Sequence, residues 1–211
     1  GSIVLKSGGS TSATGGRLVL QSGYSLGGDS GGVGVRTGVS GPGGSTGEIS
    51  MITGNSVEGN VGGISILTGV SEAGRGGGII FSVGHGSGEE ETRGGNIKLN
   101  AGGSSISTGG SIYILSGKSN KASSGDIIVF TPNSGEAGSS GGIDLLTGSA
   151  SVGTTGSISL RSGASSGGGS GDIFLGVGKS GGKGGNIVVN AGNSDLLTGG
   201  TLDMRSGGSK Q

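Results

Sequence analysis

Residues 28–32 read Gly-Asp-Ser-Gly-Gly, and a serine between an aspartate and a glycine in such a segment can present a nucleophilic hydroxyl. Ser30 would need a histidine within hydrogen-bond reach, a carboxylate behind that histidine, and donors for an oxyanion. The sequence holds one histidine, His85. Two other constellations could carry chemistry. Gly176-Val177-Gly178-Lys179-Ser180-Gly181 has the G-x-G-x-x-G spacing that brings backbone amides close to a pyrophosphate, provided a helix N-terminus follows. His85 and Glu89-Glu90-Glu91 share the stretch 85–94, where imidazole and carboxylates could meet a cation.

Each reading meets an obstacle in the sequence itself. Residues 28–32 resemble the segment around the nucleophile of trypsin-like serine proteases, with Ser30 in the nucleophile's place. In that family the histidine precedes the serine, whereas His85 follows Ser30 by many residues. The residues after Gly181 are Gly-Lys-Gly-Gly-Asn-Ile-Val-Val, another loop and extended stretch rather than a helix start, and a Walker loop would need glycine where Ile173 stands. Three adjacent carboxylates on an extended chain cannot all face one ion, so a solvated loop is expected at 89–91. Calcium-binding nonapeptide arrays place an aspartate in every coil, but the 13 acidic residues here follow no period. No catalytic, cofactor-binding or metal-binding residue is therefore expected, and no cofactor.

The composition points elsewhere. Of 211 residues, 59 are Gly, 2 are Pro and none is Cys or Trp; without a Gly-X-Y period this is not collagen. Thirteen basic residues balance thirteen acidic ones, so no basic stripe exists to neutralise phosphates, and aromatic residues for stacking bases are nearly absent. Nucleic acid is not an expected partner. Nor is a membrane: the longest apolar run, Ile127-Ile128-Val129-Phe130, is far below the ~20 residues of a spanning helix.

What the chain does have is a repeated phrase, glycine-x-aliphatic-x-hydrophobic-x-small-glycine. It is seen in GSIVLKSG (1–8), GRLVLQSG (16–23), GEISMITG (47–54), GNIKLNAG (95–102) and GSISLRSG (156–163). The fourteen copies begin at 1, 16, 31, 47, 62, 77, 95, 110, 125, 141, 156, 171, 185 and 200. A flexible Gly/Ser linker has no reason to keep that period. Within each phrase apolar residues alternate, as at Ile3/Leu5, Ile64/Ile66, Ile79/Phe81 and Ile187/Val189, the mark of a strand with one buried face. The next member of that row is small: Ser7, Ser22, Thr37, Thr53, Thr68, Val83, Ala101, Ser116.

These features predict an all-β fold, a single repeat domain over 1–211 built as a β-solenoid of about 14 units of ~15 residues. The units would form one coil each or, alternatively, three units per triangular turn. The triangle accounts for every third step being irregular. A six-unit duplication does so too, since GIIFSVGHG (78–86) returns as DIFLGVGKS (172–180) and GGNIKLNAGG (94–103) as GGNIVVNAGN (184–193). Single units are expected to be unfolded alone.

The positions alternating with the predicted core row are also apolar: Val4, Val19, Ile52, Leu67, Ile80, Tyr113, Leu115, Ile128, Phe130, Leu146, Phe174 and Val188. Lys98, Arg161 and Asp203 interrupt them. Such a row is a candidate interaction face, unless another layer of the same molecule covers it.

The phrases GGxIxLxTG and NIVVNAG and the pair SVGHG/GVGKSG resemble Gly/Ser-rich tandem repeats of large secreted or surface proteins of oomycetes and diatoms. That resemblance implies an extracellular or cell-surface piece of a longer array, and brings no catalytic residues. A second resemblance is to β-solenoid ice-binding proteins with 15-residue coils, from which the chain departs in lacking Thr-x-Thr phrases. The expected function is a non-enzymatic structural or adhesive repeat module, a rigid scaffold or surface-binding spacer; the alternative is ice binding by a flat solenoid face. Expected partners are other copies of the chain, or an extracellular matrix or surface such as polysaccharide or ice.

Overall fold

A computed structural model describes residues 1–86 and 93–208 of the 211. It divides into two units, Gly1–Asn100 and Ala101–Gln211. The described residues contain neither helix nor strand, which overturns the predicted all-β solenoid in both its one-coil and triangular forms. No residue among them is buried. The predicted core row is on the surface: Ile64 and Ile66 are 55% and 52% exposed, Ile3 93%.

The reason lies in where the backbone finds its partners. A solenoid needs each phrase to bond the phrase about fifteen residues on. Here the bonds run across the loops instead. In the first unit the Gly16 N–H donates to the Gly8 carbonyl at 2.8 Å and Gly31 to Gly23 at 3.0 Å. In the second, Gly110 donates to Gly102 (2.8 Å), Gly125 to Gly117 (2.9 Å) and Gly200 to Gly192 (2.8 Å). The glycine that opens one phrase thus reaches back to the glycine that ended the previous one. Each phrase brings only two large inward residues, while its glycines lose the most conformational freedom on ordering. A short local closure is the cheaper contact, and among the described residues the phrases between closures stay unpaired.

The small residue of the phrase belongs to this closure, not to a core. Ser7 Oγ donates to the Gly16 carbonyl at 2.8 Å and Ser22 Oγ to the Gly31 carbonyl at 2.8 Å. Thr68 Oγ1 reaches the Gly77 carbonyl at 3.4 Å and Thr131 Oγ1 the Gly141 carbonyl at 3.0 Å. Two loops therefore carry both bonds, the loops at Thr68 and Thr131 are closed by the hydroxyl, and those after Ala101, Ser116 and Ala191 by the backbone. Among the described residues, the only half-buried ones are Ser7, Ser22, Thr53, Ser119 and Thr131. Every one is a hydroxyl residue.

One loop closes differently. Gly41-Pro42-Gly43-Gly44 is a tight turn in which the Gly44 N–H donates to the Gly41 carbonyl at 3.1 Å. Gly43 has φ +74°, the conformation that the third residue of a type II turn requires, with proline favoured just before it.

The phrase-opening glycine is needed for close approach. A Cβ on Gly16 would sit 3.1 Å from the Gly8 nitrogen and 3.2 Å from Ser7 Cβ, whereas one on Gly9 would meet nothing within 4 Å. Gly16→Ala is therefore expected to loosen the closure, raising the Gly16 amide hydrogen-exchange rate by about fivefold, as loss of a ~1 kcal/mol bond implies. Gly9→Ala should leave that rate unchanged. Equal rates in both variants would show that the closure does not govern the loop.

Candidate functional site

Ser30 lies on an exposed loop, as does His85, and they belong to different repeats. Glu89, Glu90 and Glu91 lie outside the described residues. Gly176 is followed by further extended chain and loop, with no helix to receive a phosphate. A Cβ there would run into the Phe174 ring, while Ser180 Oγ accepts from the Gly182 N–H at 3.1 Å in an ordinary local turn. Among the described residues there is no pocket and no group of three His, Asp or Glu able to hold one ion.

The twelve residues of the candidate interaction face are all exposed, from Val19 at 56% to Phe174 at 90%. The row predicted to be inward is exposed as well, though it is the more sheltered of the two: Ile112 is 53% exposed against 82% for its neighbour Tyr113, and Ile173 54% against 90% for Phe174. The alternation expected from the sequence survives as a gradation of exposure. Among the described residues both faces of the phrase remain open, and no second layer covers either.

Charged side chains add little to this surface. Arg205 and Asp203 pair two residues apart, Nε to Oδ1 at 2.9 Å. Both are largely exposed, 83% and 55%, and such pairs contribute little to stability.

A regular polar feature emerges in the loops. Ser10 Oγ accepts from the Ala13 N–H at 2.9 Å, Ser25 from Gly28 at 2.9 Å and Ser56 from Gly59 at 2.9 Å. Ser71 accepts from Gly74 at 2.8 Å, Ser104 from Ser107 at 2.9 Å and Ser119 from Ala122 at 2.9 Å. Ser165 and Ser194 do the same for Gly168 and Leu197, at 3.0 and 2.9 Å. A short hydroxyl side chain imitating a backbone carbonyl holds the next three residues in a bend. Serine stands nine residues after the phrase start in twelve of the fourteen copies, from Ser10 to Ser209. That period was available in the sequence but masked by an abundance of serine and glycine. The loop hydroxyls are engaged in holding shape, which leaves the phrases as the surface available to a partner.

Comparison with known protein families, with characterised proteins and with solved structures returns no match. The ice-binding expectation asks for a flat face built of stacked strands, and the described residues contain no strand.

Ser119→Ala is expected to release the Lys121 and Ala122 amides, which point to Ser119 Oγ at 3.3 and 2.9 Å. Their hydrogen exchange should quicken by roughly threefold to tenfold, the worth of one net hydrogen bond. Ser119→Asp, which keeps an acceptor at that place, should restore the wild-type rates.

Proposed function

We propose that the chain is a non-enzymatic structural or adhesive repeat module, a scaffold or surface-binding spacer that works outside the cell or at its surface. The observation that carries this reading is the fourteen-fold phrase whose side chains, apolar and polar alike, stand exposed at a spacing of about 15 residues. A repeated open surface suits many weak contacts made at once, where each bound repeat raises the effective concentration of the next. The groups that could do chemistry, Ser30 and His85, are set apart on solvent-exposed loops, an arrangement that favours a scaffold over a catalyst. The extracellular setting is supported by the resemblance of the repeats to those of secreted and surface proteins.

The test is retention of the chain on cellulose, chitin and silica particles, compared with a chain of the same composition whose order is shuffled. Retention of the periodic chain well above the shuffled one, at salt concentrations that screen charge, is expected. Equal retention on every particle would remove the support for adhesion, because composition alone would then explain it.

A further inference from the structure

The phrases leave two things uncovered in each repeat, an apolar row and a stretch of backbone. We propose that what covers them is a second copy of this chain, seated phrase against phrase with its repeats aligned by whole units. The inference rests on the scaffold reading and names its partner.

The exposed area sets the scale. A single copy of this 19.6 kDa chain exposes 21,475 Å². A folded monomer of that mass exposes about 8,600 Å², and its unfolded chain about 28,000 Å². A stable interface takes about 800 Å² from each partner, so the chain has many times the surface that a dimer consumes. Much of it is apolar: Ile112, Tyr113, Ile114 and Leu115 are 53–82% exposed in a single phrase, whereas soluble monomers rarely leave large contiguous apolar patches open.

The backbone points the same way. The backbone hydrogen bonds of the described residues join loop ends or close a turn, so the amides and carbonyls inside the phrases are free of protein partners. Free edges of this kind are templates for another extended chain. A second copy meets every requirement by construction. It carries the same apolar row at the same spacing, the same free backbone, and loops that fall opposite loops when the two copies lie parallel and in register. With 13 basic and 13 acidic residues, no net charge drives copies apart.

Sedimentation velocity of the full chain across a dilution series, with infrared amide I spectra of the same samples, tests this. The sedimentation coefficient should rise with concentration, and the amide I band should shift as phrase backbones pair. Ile97→Asn, Ile112→Asn and Ile127→Asn together place polar groups in three phrases and should weaken association by at least about tenfold. Leu26→Asn, Ile106→Asn and Leu196→Asn make the same chemical change in three loops, where the side chains are 93–99% exposed, and should leave it unchanged. Because all six residues are already exposed in the single copy, neither variant removes a core. A chain that stays monomeric at every concentration overturns the proposal, as does equal weakening by the loop variant. A monomer still held by cellulose or silica would overturn self-pairing while leaving the scaffold reading in place.

Discussion

A glycine amide reaching back eight residues to a glycine carbonyl is the contact on which the rest of this structure depends. It fixes the ends of five loops and leaves little room for a side chain at the phrase-opening glycine, as the crowding around Gly16, Gly31 and Gly110 shows. It also puts the carbonyl of that glycine where Ser7 or Ser22 can donate to it. The serine bend inside the loop completes the arrangement. Apart from the Arg205–Asp203 pair, the hydrogen bonds of the described residues lie between the end of one phrase and the start of the next.

The usual relation between polarity and burial is thereby reversed. The most sheltered side chains are hydroxyls, and the aliphatic and aromatic ones are outside. Hydrophobic burial normally supplies the dominant favourable term in folding, and a single copy has scarcely drawn on it. Local hydrogen bonds to backbone, each of modest net value in water, shape the loops and join only the end of one phrase to the start of the next. The chain is organised at the scale of about ten residues, and its larger organisation is left to whatever meets the phrases.

The period, the phrase and the glycine boundaries were legible in the sequence, and the structure uses all three. The alternation of Ile64/Ile66 or Ile187/Val189 was legible too, and it reappears as graded exposure. What misled was the step from alternation to burial. An alternating row states which side chains share a face and says nothing about whether the covering surface comes from the same chain. The small residue of the phrase follows the same logic: Ser7 and Thr131 look like space-savers beside a core, but their oxygens are what the fold uses. Ser30 and the glycine run at 176–181 drew attention because glycine and serine dominate many catalytic loops, and in a chain this rich in both they recur by composition. The loop serines at Ser10, Ser56 and Ser119 were hidden by the same abundance.

The loop closed by Thr131 and Gly141 spans ten residues where that of Ser7 and Gly16 spans nine, so the hydroxyl contact accommodates an inserted residue even where the backbone bond is not made. A repeat bonded only to the start of the next one is a cassette. Unequal recombination between copies could add or remove whole repeats, and the neighbours on either side would keep their loops. The likeness of 78–86 to 172–180 and of 94–103 to 184–193 is the trace such an exchange of blocks leaves. Length then becomes the quantity that inheritance can adjust most freely, while the local chemistry of each repeat stays fixed.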